Sequence, residues 1–139
     1  PLKVRKKLNN NIVILKIFSG ITKAVVESVL NISKLKGVVL ETYGSGNAPT
    51  EKWFIDILQK TVERGVHIVN VTQCAGGNVI MGHYETSVAL EKIGIISGND
   101  ITTESALAKL MYLLGENIPK NKFKSIFETQ LRGEISNFE

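Results

Sequence analysis

Short apolar runs alternate along the chain with segments whose apolar residues recur at helical spacing. Residues 12–18 (IVILKIF) form a β-branched run, and two further runs of strand type follow at residues 38–43 and 66–71. A fourth, shorter run lies at residues 93–97. Because parallel strands need crossover connections, this alternation predicts a parallel sheet with right-handed crossovers.

Apolar residues at helical spacing fill the stretches between these runs. Ile21, Val25, Val26, Val29 and Leu30 recur in the first of these stretches, which predicts a helix there. A second helix is predicted with Thr50 as its N-cap, and its inward residues are Trp53, Phe54, Ile57, Leu58 and Val62. A third is predicted over residues 86–92, and a fourth is capped by Thr102 or Thr103. The last predicted helix starts at Pro119, and its buried residues are Phe123, Ile126, Phe127 and Leu131. Gly65 is expected to end the second helix.

The alternation predicts an α/β fold, a three-layer α/β/α sandwich around a small, Rossmann-like parallel sheet of about four strands. Residues 1–11 are polar and basic, and we expect them to form a flexible linker. Residues 12–139 are expected to form one domain, because a chain of this length has room for a single core.

The positive charge of the chain is concentrated near its beginning. The formal net charge is +4, and residues 1–36 hold eight Lys or Arg against one acid, Glu27. A basic leader without interleaved aromatic residues is typical of a solvated linker, so nucleic-acid binding is not expected. No apolar stretch approaches the roughly 20 residues that span a bilayer, so no membrane partner is expected. The single cysteine, Cys74, favours a reducing compartment.

Two glycine-rich loops follow the second and third predicted strands. Residues 43–49 (YGSGNAP) and residues 72–77 (TQCAGG) fall at the carboxyl edge of the sheet, where ligands bind in open parallel sheets. Asn47 offers amide donors and an acceptor that suit a zwitterionic or amide-bearing ligand, and it precedes a predicted helix N-terminus. The alternative is an ordinary turn in which Asn47 bonds its own backbone.

Other catalytic chemistry finds little support in the sequence. Cys74 needs a neighbouring base to act as a nucleophile, and the only histidines, His67 and His83, are not brought near it by spacing. Thr72 and Gln73 are better suited to hydrogen bonding at a strand end. No residues have metal-ligand spacing, and neither a metal nor a cofactor is expected.

Three strings resemble the C-terminal domain of bacterial type I (cytoplasmic) L-asparaginases, in the asparaginase/glutaminase superfamily. They are GVVLETYGSGNAP (37–49), RGVHIVNVTQCAGGNVIMGHYET (64–86) and IGIISGNDITTESALAKLMYLL (93–114). The opening LKIFSGI and the ending LRGEIS fit as well, so the similarity covers essentially residues 12–136. TYGSGNAP and VNVTQC are its most specific parts, whereas GIISGNDIT is shared more widely in the superfamily.

The resemblance implies that the chain is one domain of an enzyme that hydrolyses L-asparagine to L-aspartate and ammonia. In that family the nucleophilic threonine lies in an N-terminal domain with T-G-G-T-I and T-D-T motifs, which this sequence lacks, so this chain alone is expected to be inactive. Asn47 matches the asparagine that reaches the active site of a neighbouring subunit in a homodimer or homotetramer. Tyr84 lies in the segment where the family places another contact across subunits.

The resemblance also implies a second site, at which some members bind asparagine as an allosteric effector. Thr72, Gln73 and Cys74 match the segment that lines it. Effector-regulated members often have Arg at the position of Glu41, where it faces the effector's carboxylate. A carboxylate there repels the ligand's carboxylate, which argues against activation by asparagine.

Two other functions stay open at this point. One is an amino-acid-sensing or interaction module without catalysis. The other is the same domain in a glutaminase or in an amidotransferase that makes amidated tRNA. A preceding domain with the T-G-G-T-I motif would favour the enzyme over the sensing module.

Overall fold

A four-stranded parallel sheet forms the centre of the computed structural model, which describes residues 1–137. The strands are β1 (Ile12–Lys16), β2 (Gly37–Thr42), β3 (His67–Thr72) and β4 (Ile96–Ser97), in the order β1-β2-β3-β4. Every neighbouring pair is parallel, as the sequence predicts. Residues 138 and 139, which the predicted domain includes, lie outside the described residues.

Helices cover both faces of this sheet. Helices α1 (Lys23–Leu30), α2 (Lys52–Glu63) and α3 (Glu85–Lys92) connect successive strands, and α4 (Thr103–Leu114) and α5 (Lys120–Glu128) follow the last strand. Because the strand order advances in one direction, connections of one hand place all three connecting helices on the same face. The predicted three-layer α/β/α sandwich is confirmed.

Strand residues alternate between two apolar clusters, one on each face of the sheet. Val38 and Leu40 of β2 pack with α1, α2 and Leu90 of α3. Val39, between them, packs with α4 and α5 on the opposite face. The β2 run is therefore apolar at successive positions, as expected for a strand that is buried on both sides.

Several boundaries differ from the sequence prediction, beginning with the first strand, which ends at Lys16 rather than at residue 18. The fourth strand is shorter than residues 93–97, because α3 continues to Lys92 and Gly94 turns the chain at φ +91° before Ile96 joins the sheet. Helix α2 begins at Lys52, so Thr50 is not its N-cap. Leu131 is 43% exposed, because α5 ends at Glu128 before reaching it.

The predicted start of the last helix is one residue early, and the prediction for Gly65 is confirmed. Pro119 is the N-cap residue of α5 rather than its first helical residue. Gly65 follows α2 with φ +91°, a backbone conformation that costs glycine little. Trp53, which the pattern places in the core, is only partly buried and packs edge-on against Phe54.

Residues 1–11 form neither a helix nor a strand and are mostly exposed. The backbone N–H of Asn9 donates to the carbonyl of Met111 on α4 (3.0 Å), and Arg5 pairs with Glu116 (2.7 Å). That this segment acts as a flexible linker stays a prediction. Within the described part of the chain, no helix has the length and apolar character needed to cross a membrane.

We expect His67 to make the stability of this chain depend on pH. Its ring stacks on Phe123 of α5 with centroids 3.7 Å apart, and burial followed by the charge of Lys120 lowers the pKa of His67 from 6.5 to about 4. The unfolded chain therefore binds this proton at a higher pH than the folded chain does. Stability should be complete above pH 6.5 and fall as the pH drops towards 4, by about 1 kcal/mol after allowance for solvent screening.

Urea unfolding at several pH values measures this effect. His67→Gln should flatten the change in unfolding free energy between pH 6.5 and 4, because the group that titrates is gone. His83→Gln is the matched control, because His83 is exposed, and it should leave the change intact. An unaltered pH profile in His67→Gln would contradict the assignment of this titration to His67.

Candidate functional site

Two loops meet at the carboxyl edge of β2 and β3. Residues 43–47 close into a tight turn, in which the backbone N–H of Tyr43 donates to the carbonyl of Asn47 and the N–H of Asn47 donates back, both at 2.8 Å. Gly46 has φ +104° in this turn, a conformation that favours glycine. The second loop, residues 72–77, begins directly where Thr72 pairs with Thr42.

Three consecutive backbone carbonyls of the first loop each accept a hydrogen bond from a different residue. The Thr72 hydroxyl donates to the carbonyl of Gly44, and the Ile80 backbone N–H donates to that of Ser45 (2.9 Å). The side-chain amide of Asn70 donates to the carbonyl of Gly46 (3.2 Å). The backbone immediately before Asn47 is therefore tied to β3 and to the segment that follows it.

The side chain of Asn47 is the only amide of this loop, and like the hydroxyls of Tyr43 and Ser45 it is uncommitted within residues 1–137. It is half-buried and makes no hydrogen bond within residues 1–137. The alternative in which it bonds its own backbone is not supported, because the turn closes through Tyr43 without it. Asn47 also lies farther from the helix than the sequence suggests, since α2 begins at Lys52.

Thr72 and Gln73 are used to hold neighbouring backbone. The Thr72 hydroxyl donates to Gly44 and accepts from the backbone N–H of Cys74 (3.0 Å). The side-chain nitrogen of Gln73 donates to the carbonyls of Ile17 (2.7 Å) and Glu41 (2.9 Å). Gln73 thus joins the carboxyl ends of β1 and β2, and only its side-chain oxygen remains for a ligand.

Glu41 faces the start of α4, while the Cys74 thiol is exposed to solvent. The Glu41 carboxylate accepts a hydrogen bond from Thr103 (2.6 Å), and its second oxygen lies 4.0 Å from the ammonium of Lys16. Its side chain is only 16% exposed. Since a helix N-terminus favours negative charge, Glu41 supplies an anion at the N-terminal end of α4.

Tyr84 lies apart from these contacts, at the N-cap position of α3, and is 54% exposed. Its backbone N–H donates to the Ser87 hydroxyl (3.0 Å), which donates in turn to the Tyr84 carbonyl (2.8 Å). These two bonds begin the helix and leave the phenol ring facing outward. Tyr84 and Asn47 form no hydrogen bond with each other.

The histidines do not supply Cys74 with a base. His67 lies at the start of β3, at the opposite end of this strand from the carboxyl edge, and stacks on Phe123. His83 is exposed and makes no hydrogen bond within residues 1–137. Among those same residues, no group of three or more His, Cys, Asp or Glu is arranged to hold a metal ion.

Asn70 is a residue of this site that the sequence patterns do not single out. It is completely buried in β3, where its side-chain oxygen accepts from the Thr42 hydroxyl (2.5 Å) and its nitrogen donates to Gly46. The signal that could have found it is one polar residue inside the apolar run HIVNV. A buried amide needs hydrogen-bond partners, so such a residue indicates a polar contact beside the strand.

The edge that carries Asn47 is open rather than enclosed. Cavities of about 880 and 600 Å³ lie elsewhere, one between residues 3–5 and α4 and the other beside Asn99 and Lys124, and Asn47 lines neither of them. The geometry thus defines an α/β domain that presents the side-chain amide of Asn47 at the carboxyl edge of its sheet, on a loop whose backbone is held by hydrogen bonds.

The comparisons with known proteins identify the family of this domain. The chain belongs to the Glutaminase/Asparaginase C-terminal domain family, whose model matches residues 11–127. It is 41% identical over 120 residues to L-asparaginase 1 of Escherichia coli, across 86% of this chain and 35% of that protein. The crystal structure of L-asparaginase I from Vibrio cholerae matches 97% of this chain and 40% of its own, with a TM-score of 0.90 and 39% identity.

Relatives with other names match nearly the whole chain too. The 60 kDa lysophospholipase of Homo sapiens is 40% identical over 97% of this chain and 23% of that protein. One component of the glutamyl-tRNA(Gln) amidotransferase of Sulfurisphaera tokodaii is 32% identical over 94% of this chain and 28% of that protein. The chain thus spans about a third or less of these curated relatives, and the resemblance to type I L-asparaginases is confirmed at the level of the domain.

Proposed function

We propose that this chain is the C-terminal domain of an enzyme that hydrolyses L-asparagine to L-aspartate and ammonia. In this proposal the nucleophilic threonine belongs to a preceding N-terminal domain, and the chain contributes Asn47 to the active site of a neighbouring subunit. The observation that carries the proposal is the side chain of Asn47, which has no hydrogen-bond partner within residues 1–137 although its backbone is held on both sides.

The chemistry of an amide suits this role. Asn47 offers two N–H donors and one acceptor oxygen, which can orient the ammonium or carboxylate of an amino-acid substrate without reacting with it. Holding a substrate in a reactive geometry is a large part of catalysis, so a group that forms no bond to the reacting carbon still affects the rate. The similarity to the Escherichia coli and Vibrio cholerae asparaginases supports L-asparagine as the substrate.

The proposed partners are L-asparagine, the N-terminal domain of the same subunit and that of a neighbouring one. A homodimer or homotetramer follows from this, since a site shared between subunits cannot form in a monomer. Tyr84 is proposed as a second residue on the shared surface, because its ring is exposed on the segment that leads into α3. The exposed, unpaired Cys74 agrees with a reducing cytoplasmic location.

Assays of the full-length protein test the substrate. We expect ammonia release from L-asparagine, and release from L-glutamine is measured alongside because the family includes glutaminases. The human relative's name favours a second candidate, lysophospholipid hydrolysis, so fatty-acid release from lysophosphatidylcholine is measured in parallel. Fatty-acid release without ammonia release would overturn the asparaginase proposal.

The proposed effector site at Thr72, Gln73 and Cys74 has little free polar surface for an amino acid. Gln73 is committed to two backbone carbonyls, and the Thr72 hydroxyl is committed to Gly44 and Cys74. Glu41 adds a carboxylate that disfavours a ligand carboxylate nearby. We therefore propose that this edge serves mainly to hold the loop of Asn47.

A plot of rate against L-asparagine concentration is expected to be hyperbolic for the full-length enzyme. The reason is that the effector's carboxylate would meet the carboxylate of Glu41. Cys74→Ala should leave the shape of the curve unchanged, because in this proposal the exposed thiol contacts no effector. A sigmoidal curve that becomes hyperbolic in Cys74→Ala would contradict it and would assign an effector to this edge.

A further inference from the structure

A completely buried amide lies directly beneath the loop that carries Asn47. Asn70 occupies β3 between Val69 and Val71, and its partner in the sheet register is Leu40 on β2. Leu40 fills the equivalent space on its own strand with apolar atoms alone. An apolar residue could therefore fill the space at position 70, but it could not form the hydrogen bonds that Asn70 makes there.

Both the oxygen and the nitrogen of the Asn70 side-chain amide form hydrogen bonds, which fix the orientation of the amide. The Thr42 hydroxyl, itself completely buried, donates to the side-chain oxygen of Asn70 at 2.5 Å. The carbonyl of Gly46 can only accept, so it is the side-chain nitrogen of Asn70 that faces the loop and donates to it at 3.2 Å, while the oxygen faces the Thr42 hydroxyl. Thr42 thus orients Asn70, and Asn70 holds the peptide bond that joins Gly46 to Asn47.

The loop backbone sits against Asn70 without intervening side-chain atoms. A Cβ at Gly46 would lie 2.7 Å from Val79 and 3.2 Å from the side-chain nitrogen of Asn70, and its φ is +104°. The glycine therefore permits a close approach that any other residue would prevent. Because Gly46 immediately precedes Asn47, its position determines where the Asn47 side chain begins.

We propose that Asn70 is a positioning residue for the proposed reaction, which acts through Asn47 and not on the substrate itself. The inference rests on the proposed function of Asn47. A polar group beside a substrate must be held to within a fraction of an ångström, and a displacement of about 1 Å can lower a rate roughly a hundredfold. Asn70 supplies part of this restraint from the interior of the sheet.

The test is Asn70→Leu in the full-length protein, measured as kcat/KM for L-asparagine. Leu has nearly the shape of Asn and matches the neighbouring Leu40, so the fold should persist while the hydrogen bond to Gly46 is lost. We expect kcat/KM to fall about tenfold or more. Val38→Ala is the matched control: it weakens the same apolar cluster away from the loop and should leave kcat/KM unchanged.

A double variant separates positioning from a general structural effect. If Asn70 acts through Asn47, adding Asn70→Leu to Asn47→Ala should lower kcat/KM no further. Equal losses from Asn70→Leu in the presence and absence of Asn47 would overturn the proposal, as would a wild-type value for Asn70→Leu. If Asn47→Ala alone has no effect, the proposed function of Asn47 fails, which is a different result.

Thr42→Val keeps the test valid should Asn70→Leu fold poorly. Val preserves the volume of Thr but removes the hydroxyl that orients the Asn70 amide. We expect a several-fold loss of kcat/KM that again disappears in the presence of Asn47→Ala. An unchanged kcat/KM in Thr42→Val would show that the orientation of Asn70 is irrelevant to the reaction and would overturn the proposal.

Discussion

Replacing Asn47 with Ala is expected, on the proposed function, to lower kcat/KM for L-asparagine about a hundredfold in the full-length protein. The substitution removes an amide that has no hydrogen-bond partner within residues 1–137, so the domain loses no internal contact of that group. The turn that carries it closes through the backbone of Tyr43, and that closure does not depend on the side chain. The loss should therefore appear in catalysis and leave thermal stability nearly unchanged.

Steady-state kinetics and thermal unfolding of the same preparations measure both quantities. Asn10→Ala is the matched control, because Asn10 is exposed and lies far from the loop in the sequence. Asn47→Ala should separate catalysis from stability, whereas Asn10→Ala should change neither. A variant that loses stability in proportion to its activity would show that Asn47 is a structural residue of the turn.

Replacing Lys109 with Met is expected to lower the unfolding free energy by about 3–5 kcal/mol, the largest effect on stability that we predict. The Lys109 side chain is only 3% exposed, and its ammonium pairs with Glu134 at 2.5 Å. The same ammonium donates to the carbonyl of Thr129 (2.7 Å) and lies 5.0 Å from the centre of the Phe127 ring. Its loss leaves the carboxylate of Glu134 largely buried without its cation.

Hydrogen bonds to the Glu134 carboxylate favour its ionised form. Burial raises the pKa of Glu134, but hydrogen bonds from Lys109 and from the backbone N–H groups of Leu131 and Arg132 outweigh it and lower the pKa to about 2. Glu134 therefore contributes stability that is complete above its unfolded value of 4.5 and is lost as the pH falls towards 2. This window overlaps that of the His67 pKa shift, 6.5 to about 4, only between pH 4.5 and 4.

An exposed ion pair of similar length provides the control. Lys52 and Asp56 approach to 2.6 Å on α2, but their side chains are 87% and 43% exposed. Lys52→Met should cost about 0.5 kcal/mol or less in urea unfolding, since water screens both charges. A similar small loss in Lys109→Met would contradict the expectation that the buried pair with Glu134 contributes more to stability than an exposed pair does.

The sequence predicts the architecture well because buried strands and amphipathic helices leave strong periodic signals. The four parallel strands, the two layers of helices and the turn at Gly65 follow from those signals. Boundaries are harder to predict, because they depend on local competition. Thr50 has the chemistry of an N-cap, yet α2 begins only at Lys52. Similarly, the spacing that places Leu131 in the core holds only if α5 continues past Glu128.

Candidate site residues in loops can be proposed from the sequence alone, whereas contacts that depend on strand register cannot. Asn47 stands out because it follows glycines in a loop after a strand. Asn70 does not, because its value comes from lying beside Thr42 on one strand and beneath Gly46 on a loop. Gln73 illustrates the same limit, since its bonds to Ile17 and Glu41 arise only when β1, β2 and β3 align.

Complementation between subunits tests most directly whether this domain completes the active site of a neighbour. One full-length variant carries Asn47→Ala, and the other carries an alanine in place of the proposed nucleophilic threonine of the proposed N-terminal domain. Each should be nearly inactive alone. If the sites are shared, random mixing of subunits into dimers should restore activity to about a quarter of the wild-type value, because half of the dimers are mixed and each has one intact site. Activity that stays at the level of the separate variants would contradict a shared site.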